Sequence, residues 1–386
     1  MNSTGMLAGA MVLMLAVIVT AAVAGRFSAF YRRELAETAQ RDVALDGLRG
    51  MAALMVVTHH AFMFNRWLAT GEWGNAGTGF LQLLGPAGVT IFFMLTGHLF
   101  WGKARAMKGK LNAWKLWRGR LYRIAPLYLF SLLAVLLVAV AQTGGSWLSP
   151  ANWKPLLYTS ALGAIRWQPV GSVELGSYNA YVVWTLWYEW RFYLILPFIA
   201  WFACGRRIIF IALALYVMGF TGTLFGPRME ISLAFFPGML CPLLLEDQKL
   251  RGLLRHPAAA AVALVLPAIV FAWSHCDLLT IPLAGSLFPL FLAAAAGNTF
   301  FGFLTQSAVR CLGAISFSLY LLHAVIFRVV VSGLKTAGLT TLPLPQYWLI
   351  ITLTAAAITL LCAMTYRWIE FPFLSRSHKV KVGQPA

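Results

Sequence analysis

Apolar runs of about twenty residues recur along the whole of this chain, and each is long enough to cross a bilayer as a helix. Backbone groups in hydrocarbon must satisfy their own hydrogen bonds, so runs of this length point to helices. Composition agrees: the 386 residues are 60% hydrophobic and 11% charged, whereas soluble domains carry roughly 25% charged residues. The shorter alternating segments of a transmembrane barrel do not occur. The expected fold is an all-α, polytopic integral membrane protein. About eleven transmembrane helices are read, near 6–25, 44–64, 82–101, 124–141, 181–203, 208–225, 231–245, 257–273, 282–304, 312–331 and 347–366.

The net charge of +18 reads as membrane topology and not as a nucleic-acid surface, because the basic residues cluster between the apolar runs. Linkers at 26–43, 102–123, 204–207, 246–256 and 305–311, with the tail from Arg367, are rich in Lys and Arg. The intervening linkers hold only Arg66, Lys154, Arg166, Arg228 and Lys335. The basic side is expected to be cytoplasmic, with the N-terminus periplasmic and the tail 375–386 cytoplasmic. Within residues 1–28, "TAAVAG" (20–25) is similar to a cleavage site, but no Lys or Arg precedes the apolar run. A retained extra N-terminal helix is therefore expected. The longest outer linker, 142–180, is rich in Gly, Ser, Trp and Pro and is placed to cover a site or grip a polar substrate. Five scattered cysteines form no CxxC, and no His/Cys cluster has zinc-ligand spacing. No metal is expected.

The second run breaks the apolar pattern: "LDGLRGMAALMVVTHHAF" (45–62) carries Asp46, Arg49, His59 and His60. Ionisable groups at membrane depth are costly and mark function by default. Eleven helical residues turn through about three turns plus 20°, so Arg49 and His60 share a face, roughly 16 Å apart along the axis. Asp46 lies three residues before Arg49, within ion-pair reach. His59 points about 80° away from Arg49. Either the stripe is a structural ion pair with a packed histidine, or it is a polar path ending at a base. Histidine suits the second role because its ordinary pKa is near neutrality.

These residues resemble the opening motif of the acyltransferase 3 family of membrane acyltransferases, in which a basic residue is followed after ten residues by His. "FFMLTGHLF" (92–100), "RGRLYRIAPLY" (118–128), "LWYEWRFYLILP" (186–197), "ISFSLYLLHAVIF" (315–327) and "YRWIEFPF" (366–373) are similar to its later motifs, in order. Thr96 replaces the family's usual Ser, and His98 stands where an apolar residue is common. The resemblance implies a ten-helix acyltransferase domain over 42–374 beside the extra N-terminal helix, as a stand-alone member without an SGNH domain. It further implies transfer of an acyl group, most often acetyl, from cytoplasmic acetyl-CoA to a hydroxyl of an envelope carbohydrate such as O-antigen or exopolysaccharide. The setting implied is a bacterial inner membrane. The expected partners are a glycan or lipid-linked glycan acceptor and membrane lipids, with no nucleic acid.

On that basis His60 is the expected general base, with Asp46 and Arg49 shaping the inner end of the path. Arg118, Arg120 and Arg123 are candidates for the CoA phosphates, because planar guanidinium donors suit phosphate oxygens. Lys108 and its neighbours serve topology and anionic lipid. Glu189, expected near the depth of His60, either pairs with Arg191 or another cation, or shapes the acceptor pocket. Tyr193 and His323 are further acceptor-site candidates, with His323 a pocket or packing residue and not a second base. An interhelical hydrogen bond is expected for His98, and a Glu370–Arg367 pair at the membrane edge. A narrow inner channel is expected to bring the thioester to His60 and meet an outer pocket there. The competing class is a transporter or flippase for anionic glycolipids, but inverted repeats and broken helix pairs are not visible.

Overall fold

The computed structural model describes residues 3–38, 42–74, 79–203, 229–273 and 281–382. Its helices are α1 (Ser3–Phe27), α2 (Ala29–Glu37), α3 (Val43–Thr70), α4 (Phe80–Ala106), α5 (Ala113–Thr143), α6 (Trp153–Ser160), α7 (Trp184–Ile199), α8 (Met229–Leu233), α9 (Phe235–Leu244), α10 (Gln248–Arg255), α11 (Pro257–Trp273), α12 (Ile281–Ala296), α13 (Ser307–Ala314), α14 (Ser316–Thr336), α15 (Leu344–Thr365) and α16 (Phe371–Val382). Among the described residues the only β feature is an isolated bridge between Val170 and Val173. Local chemistry sets several boundaries. The Asn112 side chain accepts from Lys115 N at 2.8 Å to start α5, and Gly144 at φ 80° ends it, the usual N-cap and left-handed C-cap.

The fold is all-α, but the expected eleven spans are not found. Among the described residues, five helices are long and apolar enough to cross a membrane: Thr4–Phe27, Phe80–Ala106, Ala113–Thr143, Ser316–Thr336 and Leu344–Arg376. A sixth follows if Gln248–Arg255 and Pro257–Ala272, bent by 81° at their junction, form one broken span. The remaining apolar runs fail for separate reasons. The run at 44–64 is α3, which is long but carries the charged stripe. The run at 181–203 yields a 16-residue helix, α7, about 24 Å long. The run at 231–245 is split between α8 and α9, and that at 282–304 is helical for only 16 residues, ending before Gly297 at φ 102°. The run at 208–225 lies outside the described residues. Hydropathy responds to apolar side chains whether lipid or protein covers them, and much of α3, α7 and α9 is covered by protein.

Helix α3 is the axis of the bundle. It packs against α4, α13 and α14, and small residues permit the close approach, as in other membrane helix pairs. A Cβ added to Gly313 of α13 would stand 2.1 Å from the Asp46 carbonyl oxygen, so glycine is what allows α13 to reach the charged end of α3. Helix α1 lies along α15 and α13, burying Leu13, Val17 and Ala21 completely. The Tyr31 hydroxyl of α2 donates to Ala363 O at 2.7 Å, tying this N-terminal hairpin to the bundle.

Candidate active site

The stripe on α3 is formed as its spacing requires. Arg49 Nη1 lies 3.2 Å from Asp46 Oδ1. Eleven residues on from Arg49, His60 Nδ1 lies 2.8 Å from His323 Nε2 on α14. His323 is fully buried, and its Nδ1 lies 2.6 Å from Leu319 O. A carbonyl can only accept, so the proton of neutral His323 is on Nδ1 and its Nε2 presents a lone pair. The proton between the two rings therefore belongs to His60 Nδ1. That leaves His60 Nε2 with a free lone pair, the tautomer a general base needs. Trp73 stacks on the His60 ring at 6.3 Å and 16°.

The neighbouring His59 is occupied otherwise. Its Nδ1 donates to Leu81 O at 3.1 Å, and its ring lies where a Cβ on Gly85 would stand, 2.5 Å from Cδ2. The two histidines thus face different partners: α4 for His59, α14 for His60.

At the other end of the stripe, Asp46 and Arg49 line a cavity of about 460 Å³ together with Lys103, Arg120, Glu189 and Tyr193. The Tyr193 hydroxyl donates to Glu189 Oε2 at 2.7 Å. The Arg120 guanidinium lies over the rings of Phe100, at 4.7 Å, and Tyr193, at 5.6 Å. Glu189 therefore sits among the cations at the charged end of α3 and not beside His60, because α7 starts well inside the bundle, with Trp184 against Phe93 of α4. Arg191 is stacked on Trp187.

The basic linker divides into unlike parts. Arg120 lines the cavity and Arg118 does not. Arg123 also lines it, but its Nη1 pairs with Glu370 Oε2 at 2.9 Å. The Ser318 hydroxyl donates to the second Glu370 oxygen, so this buried carboxylate joins α5, α14 and the chain end. The expected Glu370–Arg367 pair is not what forms. Residues Tyr366–Glu370 make a π-helical turn, which adds a residue to the turn and rotates Glu370 inward, while Arg367 lies over Phe30 and Trp368. The expected hydrogen bond of His98 is also absent: its buried Nδ1 has no hydrogen-bond partner, and the ring packs edge-on against Phe291 at 6.0 Å.

Several lining residues were not anticipated. Glu34, Leu35 and Thr38 of the N-terminal hairpin contribute to the cavity, as does Arg310, which donates to Leu35 O at 2.6 Å and Thr38 Oγ1 at 3.1 Å. Arg310 was visible only as one more linker charge, and Thr38 carries no sequence signal at all. Thr185 and Tyr320 also line the cavity; their hydroxyl oxygens are 2.9 Å apart, and Tyr320 donates to Val182 O at 2.9 Å. Tyr320 is one turn before His323 on α14. His60 itself is not on the lining, so the cavity stops one helical turn short of the histidine pair.

The structure is thus a helical bundle with several membrane-crossing helices, a charged cavity, and next to it a half-buried histidine paired with a fully buried one. Residues 42–367 match the acyltransferase 3 family, described as an acyltransferase domain, and the chain belongs to that family. It is similar to the acyltransferase MdmB of Streptomyces mycarofaciens, at 28% identity over 321 residues, which cover 74% of this chain and 79% of that protein. The protein is thus a membrane acyltransferase at the level of the family. Helices α1 and α2 lie before the matched region.

Proposed function

We propose that the protein transfers an acetyl group from acetyl-CoA to a hydroxyl of an envelope glycan. The observation that carries this reading is the His60–His323 pair, which leaves His60 Nε2 unprotonated above a cation-lined cavity. His60 Nε2 accepts the hydroxyl proton as the acceptor oxygen attacks the thioester carbonyl, and returns it to the departing CoA thiolate. General-base catalysis of this kind typically contributes about 10²–10⁴ in rate. Arg120 and Arg49 are the guanidinium donors for the CoA phosphates, and Arg123 holds Glu370. The basic end of the bundle faces the cytoplasm of a bacterial inner membrane, where the donor is made. The pantetheine arm then enters past Thr185 and Tyr320, whose hydrogen bond opens to admit the thioester to His60.

Turnover by the purified protein in lipid nanodiscs tests the reading. CoA release that depends on added glycan, with acetyl recovered on the glycan by mass spectrometry, is expected. Glycan movement across proteoliposomes without CoA release would instead make the protein a transporter.

A further inference from the structure

Arg328 lies within α14, the membrane-crossing helix that carries His323. An arginine at membrane depth is costly and ordinarily meets a partner of opposite charge or lines a functional path. Among the described residues no carboxylate lies within ion-pair distance of Arg328. Its Nε is buried without a hydrogen-bond partner, while the guanidinium lies over the rings of Trp67, at 4.2 Å, and Tyr178, at 4.8 Å. Lys335, two turns further along the same face of α14, joins it. The Lys335 Nζ is 4.4 Å from the centroid of the Trp67 ring and 3.4 Å from Trp67 O. It too has no carboxylate in ion-pair reach among the described residues. Glu72, the first acid after Trp67 in the chain, pairs with Arg66 at 3.3 Å. Two positive charges therefore converge on one indole, which holds them by cation–π contact but does not neutralise them.

This cluster stands on the two helices of the histidine pair. Trp67 follows His60 by seven residues on α3, so the two side chains share a face, about 10 Å apart along the axis, on the side away from Asp46 and Arg49. Packing joins them. Trp73 lies over His60 at 6.3 Å and against Phe64 at 5.0 Å, and Phe64 meets Trp67 at 6.0 Å. Arg328 and Lys335 are each only partly covered, so a ligand can reach them.

We infer that Arg328 and Lys335 bind a phosphate ester at the end of the bundle beyond the histidine pair. A planar guanidinium donates to two phosphate oxygens side by side, and an ammonium supplies a second point charge. A phosphate brings the negative charge that the cluster lacks, whereas a neutral ligand leaves both cations unpaired. Two sources share this chemistry: a hydroxyl-bearing phosphate ester that serves as acceptor, and the headgroup of a membrane phospholipid. The first is held with its hydroxyls towards His60, a role that rests on the proposed transfer; phosphate binding itself does not.

The test uses the full chain in maltoside micelles, which carry no phosphate. Hexose 1-phosphate, methyl hexopyranoside and dihexanoylphosphatidylglycerol are titrated calorimetrically, and CoA release with the two hexose compounds is measured separately. Hexose 1-phosphate is expected to bind about tenfold or more tightly than the neutral glycoside, and its affinity to fall as salt is raised. Arg328→Met and Lys335→Met keep the side-chain stems and are each expected to weaken that binding by about tenfold, and Arg328→Lys by less. Melting temperatures hold or rise in the methionine variants, because an unpaired charge is removed. Displacement of hexose 1-phosphate by the short-chain lipid identifies the headgroup as the occupant. A lower KM for hexose 1-phosphate than for the glycoside, without such displacement, identifies the acceptor. Unaltered phosphate binding in both methionine variants, with lowered melting temperatures, would make the cluster a structural clamp and overturn the inference. So would equal affinity for the phosphorylated and neutral ligands. If hexose 1-phosphate binds through the two cations but no acceptor releases CoA, the transfer reading fails and the site stands. If acetyl reaches an acceptor while neither variant changes phosphate binding, the site fails and the transfer reading stands.

Discussion

Replacing His323 by phenylalanine removes the acceptor that fixes the His60 tautomer while preserving an aromatic of similar size next to Phe327, whose ring is 6.2 Å away. The 2.8 Å contact to His60 Nδ1 becomes charge-assisted once His60 holds the substrate proton. Hydrogen bonds to charged groups contribute about 1.5–3 kcal/mol. At 1.4 kcal/mol per decade, kcat should fall by about 10- to 100-fold. The loss belongs to kcat, because His323 does not line the donor cavity; the KM for acetyl-CoA should hold. His323→Gln, whose amide oxygen can accept from His60 Nδ1, should recover part of the rate. Steady-state kinetics with thermal melting decides the matter. A folded His323→Phe protein with kcat within twofold of wild type would refute the positioning role. Equal impairment of the Phe and Gln variants, with a lowered melting temperature in both, would reduce His323 to packing.

His60→Ala should abolish transfer in a folded protein, whereas His59→Ala should keep most of kcat and lose stability, since its ring fills the space against Gly85; the two variants are compared by CoA release and melting. Arg120→Ala should weaken CoA binding by about tenfold, in line with loss of one charge-assisted contact, and Arg118→Ala should leave it unchanged, as measured by calorimetric titration. Arg123→Met should cost about 3–5 kcal/mol because it strands the buried Glu370 carboxylate, whereas Arg123→Met/Glu370→Met should recover much of that loss; chemical unfolding of both variants checks this. The exposed Arg66–Glu72 pair, with Glu72 75% accessible, should by contrast be worth under about 1 kcal/mol, and Glu72→Ala should unfold like wild type.

What the sequence showed most clearly was local. The Asp46–Arg49 pair and the eleven-residue step to His60 follow from helical geometry alone, and both are visible because polar residues stand out in an apolar helix. His323 was visible for the same reason, but not as the partner of His60, since 263 residues separate them and a pairing across the bundle leaves no spacing to read. The π-helical turn at Tyr366–Glu370 defeated a three-residue spacing rule that assumes an ordinary helix. The number of spans failed for a broader reason: apolar side chains buried in protein and in lipid look the same in one dimension. Charges clustered in 102–123 likewise look alike until folding puts Arg120 on the cavity, Arg123 on Glu370 and leaves Arg118 aside.

The N-terminal hairpin has a consequence for how such a protein diversifies. Glu34, Leu35 and Thr38 precede the family region, yet they supply part of the wall of the cavity proposed for the donor, and Arg310 fastens them to the bundle. Helices α3 and α14, which hold the histidine pair, complete the same wall through Asp46, Arg49 and Tyr320. The entrance and the reaction centre are therefore coupled through α3 and α14: exchanging the hairpin would change only the part of the wall built by Glu34, Leu35 and Thr38, and a new donor would still have to suit Asp46, Arg49 and Tyr320.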